Sequence, residues 1–198
     1  VIAGGSGTGK TTFGLQFLLE GLKNGEDGLY ITMEQTKESI LKNAELMGLD
    51  EVKDYVDKHL FFIETRGAEF EHWIRNVLPP LIEQHTNMEV ETRIVIDPLT
   101  SLLWEIPNKN KQRLIITDLF DQIRKVATSL VTVELYGTTK ELTLTEEVGV
   151  PIYLSDAAIN LIYFGFEGQF SRVLKIIKMR GSEHTDKPCS VYFVKGIG

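Results

Sequence analysis

Cysteine is nearly missing from this chain, which contains only Cys189 in 198 residues. A single cysteine cannot form an intramolecular disulfide, and so few cysteines are typical of a reducing compartment. We therefore expect a cytoplasmic protein in which Cys189 is a small buried residue of a strand. The chain also lacks an apolar run of roughly 18 residues, the length of a membrane-spanning helix. We expect no membrane partner.

A signal-peptide pattern is missing too. The apolar residues Val1-Ile2-Ala3 are expected to be the end of a first strand, so that the start of this strand and the residues upstream of it are missing from the chain. The four histidines show no metal-ligand spacing with cysteine or with carboxylates.

Basic residues are fewer than acidic ones: 21 Lys and Arg against 28 Asp and Glu give a net charge of −7. Broad, nonspecific binding to DNA requires a basic surface, so the charge argues against it. A local basic group at Lys109, Lys111 and Arg113 leaves contact with DNA phosphates open as an alternative.

What the chain does contain is a glycine-rich segment next to its first strand. Its residues are consecutive: Gly4, Gly5, Ser6, Gly7, Thr8, Gly9, Lys10, Thr11 and Thr12. Four residues separate Gly4 from Gly9-Lys10-Thr11, which completes the P-loop pattern of proteins that bind nucleotide phosphates. Glycines let backbone N–H groups turn toward the phosphates. Lys10 would then contact the β- and γ-phosphates, and Thr11 would offer its hydroxyl to Mg²⁺.

Short apolar runs alternate with helical patterns after this loop. We predict strands at 29–33, 60–63, 93–96 and 130–135, and helices at 12–22, 36–47, 69–84 and 111–130. Thr36 and Gly48 should cap the second helix, and Pro79-Pro80 should kink or restart the third. Helix 111–130 runs into its strand without a turn, although such connections usually take about 2–6 residues. Either residues are missing there or the strand is shorter than predicted.

The last third of the chain has a different pattern. Residues 136–155 lack periodicity and are expected to form a loop. Three successive strands are predicted at 157–164, 171–179 and 190–195, with a hairpin turn at Glu167-Gly168. The chain thus predicts one α/β domain over residues 1–198, with three layers, a mostly parallel central sheet and a C-terminal antiparallel extension.

Two carboxylates follow predicted strands at the same edge of this sheet. Arg93-Ile94-Val95-Ile96-Asp97 has the Walker B form, in which Asp97 holds the Mg²⁺ shell through water. Pro98 comes next, so the base that orients the attacking water must come from elsewhere. Glu34 holds the equivalent position after a neighbouring strand and could align that water. The alternative for Glu34 is an ordinary solvated loop glutamate.

A pair of cations lies near the end of the second C-terminal strand. Lys178 and Arg180 are two residues apart and should point to the same side. They are interpreted as positive groups that stabilise transition-state charge on a phosphate, supplied to the nucleotide of a neighbouring subunit. The alternative is an exposed strand edge with solvated charges.

Five segments, in this order, resemble the RecA superfamily: GGSGTGKTT, LYITMEQT, RIVIDPLTSL, SDAAINLIYF and KMRGSEHTDKP. They are more similar to the KaiC-like ATPases and the related RadA-type recombinase relatives, over nearly the whole chain. The resemblance implies a RecA-like fold with ATP and Mg²⁺ bound at the subunit interfaces of a homo-oligomer, a hexameric ring. It assigns the catalytic glutamate to Glu34, makes Lys178 and Arg180 act in trans, and puts His184 near the neighbour's nucleotide.

The chain departs from this family at a few positions. The family often has two consecutive glutamates where this chain has Glu34 and Gln35, so hydrolysis is expected to be slowed. Clock-type kinase domains carry a hydroxyl pair where this chain has Ile152 and Tyr153, which argues against autophosphorylation of that type.

Three functions follow from these observations. The first is an oligomeric single-domain KaiC-like ATPase. The second is a DNA-repair ATPase of the recombinase-paralogue type, against which Glu141, Glu146 and Glu147 lie in the expected DNA-facing loop. The third is a nucleotide-gated binding module that does not hydrolyse ATP.

Overall fold

One eight-stranded sheet forms the centre of the computed structural model, which describes residues 1–65, 72–85, 90–135, 146–166 and 169–194. The strands are β1 Ile2–Gly4, β2 Asp27–Thr32, β3 Leu60–Glu64, β4 Thr92–Asp97, β5 Thr128–Glu134, β6 Ala157–Phe166, β7 Gln169–Met179 and β8 Cys189–Val191. Their order across the sheet is β3-β2-β4-β5-β1-β6-β7-β8. The first six in this order pair in parallel, and β7 and β8 add to them antiparallel. The predicted fold class is confirmed.

Helices cover both faces of this sheet. They are α1 Lys10–Lys23, α2 Lys37–Leu46, α3 Val52–Tyr55, α4 Leu78–His85, α5 Thr100–Glu105, α6 Lys109–Ile123 and α7 Glu146–Leu154, with a π-helical turn at Trp73–Val77 before α4. The predicted caps of α2 are confirmed. The Thr36 hydroxyl accepts from the Ser39 amide at 3.3 Å, and Gly48 has the left-handed φ of 78° that suits a residue just past a helix end.

The sheet is buried between two apolar layers. In β4, Ile94 and Ile96 belong to the layer formed with α5 and α6, whereas Val95 faces the layer formed with α1 and α2. All three side chains are fully buried. Such a continuous apolar run is typical of a parallel strand with helices on both faces, so the three-layer arrangement follows from the residues of β4.

The connection between α6 and β5 corrects the prediction there. The helix ends at Ile123 rather than at residue 130, and the strand begins at Thr128. The intervening four residues form a turn of normal length, so none need be missing. Val126, Ala127 and Leu130 fit a helical pattern as well as a strand, and periodicity alone could not locate the boundary. Pairing of Thr128 with Arg93 in the adjacent strand decides it.

Residues 136–155 were expected to be a loop, and this prediction is wrong for the part that the structure describes. Glu146–Leu154 is helical, with Pro151 inside it. Gly149 and Pro151 are poor helix formers and obscured the pattern. Residues 136–145 lie outside the described part of the chain, as does the predicted turn at Glu167-Gly168.

The last strand also differs from the prediction. It is limited to Cys189–Val191, and residues 192–194 continue outside it. Cys189 is exposed rather than buried, because β8 is one of the two edge strands of the described sheet. Pro79 and Pro80 lie in the first turn of α4, which directly follows the π-helical turn Trp73–Val77, so the helix changes type where the prolines are predicted to kink or restart it.

Among the residues that the structure describes, no helix is both long enough and apolar enough to cross a membrane.

Candidate nucleotide-binding site

The P-loop lies where β1 ends at the carboxyl edge of the sheet and α1 begins. Gly7 and Gly9 have φ angles of 72° and 105°, which residues with a side chain rarely adopt. A Cβ on Gly4 would lie 2.6 Å from the Thr8 hydroxyl and 2.7 Å from the Leu161 carbonyl, so only glycine fits there. The Thr8 hydroxyl donates to the Gly5 carbonyl at 2.8 Å and closes the turn. The loop therefore has the compact shape of a phosphate cradle.

Lys10 is the cation of this cradle and is nearly buried. Its Nζ donates to the carbonyls of Gly4 at 2.9 Å and Gly5 at 2.8 Å and lies 3.7 Å from Glu134 Oε1. Burial lowers the pKa of Lys10. The carboxylates of Glu134, Asp97 and Glu34 act in the opposite direction and favour the ammonium. Glu134 is therefore the carboxylate in contact with Lys10, and Asp97 and Glu34 also favour its charged form.

Thr11 and Asp97 meet although 86 residues separate them. The Thr11 hydroxyl donates to Asp97 Oδ2 at 2.7 Å. Asp97 ends β4, which is separated from β1 by β5. A hydroxyl and a carboxylate are hard oxygen ligands of the type that Mg²⁺ prefers. Because the Thr11 hydroxyl donates its proton to Asp97, the lone pairs of its oxygen remain available to a cation. The two residues therefore fit the Mg²⁺ ion that the sequence predicts for them.

Two more hydroxyls hold Asp97. Tyr30 of β2 donates to Oδ2 at 2.5 Å, and Thr132 of β5 donates to Oδ1. Burial and then the Asp97 carboxylate raise the pKa of Tyr30 well above its usual value, so it is a neutral donor. Sequence reasoning missed both residues, since a tyrosine and a threonine inside strands look like ordinary core and surface positions.

Glu34 lies two residues past the end of β2, beside Asp97 on the neighbouring strand. The Ser101 hydroxyl of α5 donates to Glu34 Oε1 at 2.5 Å. Gln35 lines the cleft beside the P-loop, and its side-chain oxygen accepts from Asn43 of α2 at 3.4 Å. Glu34 is therefore an exposed carboxylate with a hydrogen-bond partner, close enough to favour the charged form of Lys10, whereas Gln35 forms part of the cleft wall.

Glu134 is the acidic residue that sequence reasoning missed. It ends β5, and its backbone amide donates to the Thr100 hydroxyl at 2.6 Å. β5 lies between β4 and β1, so its end must reach the same edge as Asp97 and the P-loop. The sequence contains a signal for this residue, because an acidic residue at the end of a parallel strand lies at the same edge as Asp97. Recognising it required placing the end of the strand at Glu134 rather than at residue 135.

Lys178 and Arg180 are not near the P-loop of their own chain. Lys178 pairs with Ala158, three residues before Leu161, which pairs with Gly4. The cations therefore lie toward the amino edge of the parallel strands, roughly 10 Å from the level of Gly4, while the P-loop extends from the opposite edge.

These two cations contact the end of α7 instead. Lys178 Nζ donates to the carbonyls of Ile152 at 2.7 Å and Tyr153 at 3.0 Å, and Arg180 donates to Tyr153 at 3.2 Å. Burial lowers the pKa of Lys178, and the neighbouring Arg180 lowers it further. Both cations thus have a local role at a helix C-terminus, which sequence reasoning did not foresee. His184 is exposed in the irregular segment between β7 and β8.

A cleft of about 430 Å³ opens beside the P-loop, within the usual size of small-molecule sites. Thr12 and Leu15 of α1 and Met47 at the end of α2 contribute to its walls. Arg172 and Phe193 form another wall, with the guanidinium 4.6 Å from the ring centroid. The sequence analysis did not predict that Arg172 and Phe193 line a cleft beside the P-loop. In the part of the chain that is described, no group of three His, Cys, Asp or Glu residues forms a separate metal site.

Comparison with known proteins agrees with this geometry. The family model described as "ATPase: KaiC" matches residues 1–194. The chain is 30% identical over 192 residues to the circadian clock oscillator protein KaiC of Synechococcus elongatus, covering 93% of the chain and 36% of that protein. It is 28% identical over 221 residues to a UPF0273 protein of Thermotoga maritima, covering 99% of the chain and 88% of the relative.

A UPF0273 protein of Pyrococcus horikoshii is 27% identical over 222 residues, covering 97% of the chain and 84% of the relative. The chain spans about a third of the clock proteins that it matches and more than four fifths of these UPF0273 proteins. A RecA-like sheet, a P-loop whose threonine reaches the Walker B aspartate, and a match over nearly its full length lead to one conclusion: the chain belongs to the KaiC ATPase family.

Proposed function

We propose that this protein is a Mg²⁺-dependent ATPase that works as a homo-oligomer, with ATP bound at the subunit interfaces of a hexameric ring. The observation that carries the proposal is the hydrogen bond from Thr11 to Asp97 beside the Lys10 cradle. It joins a P-loop to a Walker B carboxylate and leaves lone pairs of the Thr11 oxygen for a metal. Membership of the KaiC ATPase family supports the same activity.

Each residue of the cradle has a part in this reaction. The backbone from Gly4 to Thr12 would hold the phosphates, and Lys10 would transfer its hydrogen bonds from loop carbonyls to phosphate oxygens. Thr11 and Asp97 would hold Mg²⁺, Asp97 through water. When bound, the ion would neutralise charge on the β- and γ-phosphates.

Glu34 is the proposed catalytic base. Its position after β2, its hydrogen bond from Ser101 and its influence on the charge of Lys10 support a carboxylate held at this edge of the sheet. Such a group aligns the attacking water or accepts its proton. Lys178, Arg180 and His184 would act on the nucleotide of the next subunit, because the sheet register directs the two cations away from their own P-loop. We expect the protein to work in the cytoplasm.

The direct test measures ATP binding and phosphate release in the wild type and in Lys10→Ala. The variant should lose both while keeping the circular dichroism spectrum and melting temperature of a folded protein. Lys23→Ala, at the exposed end of the same helix and paired with Glu51, is the matched control and should bind normally. Equal affinity and turnover in the wild type and in Lys10→Ala would overturn the P-loop assignment.

Two alternatives are separated by these assays together with a measurement of DNA binding. Tight ATP binding without phosphate release would favour a nucleotide-gated module, in which Gln35 replaces an essential second glutamate. Binding of single-stranded or duplex DNA that weakens steeply with salt would favour the recombinase-paralogue function. Without DNA binding and with steady turnover, the KaiC-like ATPase is the remaining proposal.

A further inference from the structure

A tyrosine hydroxyl is buried on β2, the strand next to the edge strand β3, although the ring alone would suffice for packing. Tyr30 is 0% exposed, and its ring stacks on Phe62 at a centroid distance of 5.3 Å. Its hydroxyl donates to Asp97 Oδ2 at 2.5 Å. Burying a hydroxyl is costly unless it has a partner. The partner here is the carboxylate at the proposed metal site, so the polar atom of Tyr30 has a role beyond packing.

The Asp97 carboxylate accepts hydrogen bonds from three hydroxyls, one of which is that of Tyr30. An ionised carboxylate offers about four lone-pair sites. Tyr30 and Thr11 occupy those of Oδ2, and Thr132 occupies one of Oδ1. One site on Oδ1 is left for a further donor, such as a metal-bound water. The carboxylate therefore has one rotational setting that satisfies all three hydroxyls.

The same arrangement sets the orientation of Thr11. Its only hydroxyl proton points to Asp97, so its lone pairs point away from the carboxylate. If Asp97 rotated, the Thr11 proton could turn toward the cation position, where it would oppose metal binding. The stacked ring of Tyr30 and its place on β2, beside β4 in the parallel sheet, prevent that rotation from the core side.

We propose that Tyr30 is a positioning residue for the metal: it holds Asp97 so that Thr11 and one carboxylate lone pair are presented to Mg²⁺ and its water. The proposal rests on the proposed function, because it presupposes Mg²⁺ with ATP at this cradle. Tyr30 touches neither ion nor nucleotide and acts through Asp97. Removal of its hydroxyl should therefore change the metal requirement more than the affinity for nucleotide.

The test is a Mg²⁺ titration of Tyr30→Phe, which removes one oxygen and keeps the stacked ring. The Mg²⁺ concentration for half-maximal turnover should rise about tenfold, which corresponds to the loss of one oriented contact. ATP affinity without Mg²⁺ should stay within about twofold of the wild type. A merely structural role would lower thermal stability and leave the Mg²⁺ half-point unchanged.

Thr92→Val is the matched control, because it removes another buried hydroxyl from the same sheet at the far end of β4. It should leave the Mg²⁺ half-point unchanged. Thr132→Val removes the donor on Oδ1 and should shift the half-point in the same direction as Tyr30→Phe. If Tyr30→Phe fails to fold, Thr132→Val carries the test.

The possible results separate the two proposals. A wild type that neither binds nor hydrolyses ATP with Mg²⁺ contradicts the proposed function. A wild type with Mg²⁺-dependent turnover and a folded Tyr30→Phe with the same Mg²⁺ half-point contradicts the positioning role. If Tyr30→Phe does not fold, an unchanged half-point in Thr132→Val contradicts the premise that hydroxyl donors to Asp97 set the metal requirement, and the positioning role fails with it.

Discussion

At the scale of single residues, the site is a balance of one lysine against three carboxylates. Lys10 donates to two backbone carbonyls and lies 3.7 Å from Glu134, while Asp97 and Glu34 also favour its charged form. Phosphates that enter the cradle would be attracted by the Lys10 ammonium and repelled by the carboxylates. Metal binding at Asp97 would reduce that repulsion, but Glu134 keeps its charge beside the lysine.

We therefore expect Glu134→Gln to bind ATP more tightly. The Glu134 carboxylate and a phosphate charge about 5 Å away would repel each other by roughly 3 kcal/mol at an effective dielectric constant of about 20. Solvent in a partly open site screens part of this repulsion. An affinity gain of about tenfold is expected, measured by calorimetry at two salt concentrations. Glu51→Gln, which makes the same charge change at Lys23, should leave the affinity unchanged. Unchanged or weaker binding by Glu134→Gln would mean that its charge mainly orients Lys10.

A second prediction at this scale concerns the base. Glu34→Gln keeps the shape of the side chain and its hydrogen bond from Ser101 but removes the basic oxygen. Nucleotide binding should persist while kcat falls by about 10²-fold or more, the usual cost of losing a positioned base. Single-turnover phosphate release measures it. A kcat within about twofold of the wild type would assign the role to another group.

At the scale of elements, the C-terminus of α7 is held by the strand that carries the proposed trans-acting cations. Lys178 Nζ contacts the last helical carbonyls, at Ile152 and Tyr153, and Arg180 contacts Tyr153. Arg124 adds a further bond to the carbonyl of Leu154 at 2.7 Å. Loss of a cation here would remove donors from a helix end as well as charge from a neighbour's site.

Lys178→Met should therefore destabilise the folded chain by about 1–2 kcal/mol, the net value of one or two hydrogen bonds. Urea denaturation in a Lys10→Ala background measures this effect without the contribution of bound nucleotide. Lys178→Arg keeps a donor at this position and should recover most of the stability. If Lys178→Met is as stable as its parent, the bonds to α7 contribute little, and any loss of activity reports on the neighbour's phosphate.

At the scale of the whole molecule, the sheet separates the P-loop from the two cations. β7 runs antiparallel to β6, so its end lies toward the edge where the parallel strands begin. The P-loop extends from the opposite edge. A single chain therefore cannot bring Arg180 to its own cradle without unpairing β7, whereas a second copy could present its own Arg180 there.

Mixing two inactive variants tests this arrangement. Arg180→Ala and Lys10→Ala should each be inactive alone, since an arginine supplied in trans contributes about 10³ to 10⁵ in rate. Mixed assemblies should recover part of the turnover, because some interfaces pair an intact cradle with an intact arginine. Native mass spectrometry confirms that mixed assemblies form. If mixed assemblies recover no turnover, or if a monomer is fully active, action in trans is contradicted. Arg180 then keeps only its local role at α7.

Much of the site was predictable because its signals are local. The P-loop residues from Gly4 to Thr12 are contiguous, and the strands that end at Asp97 and just before Glu34 read as buried apolar runs. Thr36 and Gly48 marked the ends of α2 for the same reason. The end of α6 and the helix Glu146–Leu154 were mispredicted, since residues such as Val126 and Pro151 give ambiguous or misleading local signals.

The sequence by itself determined the P-loop pattern, the apolar strand that ends at Asp97 and the alternating α/β order, because each depends on neighbours in the chain. Only the tertiary structure decided that Tyr30 and Thr132 contact Asp97 and that Glu134 lies beside Lys10. They come from β2 and β5, and their roles depend on which strands lie side by side and on where each strand ends. Strand order is set by the packing of the whole sheet between its helices, and no short segment of sequence contains that information.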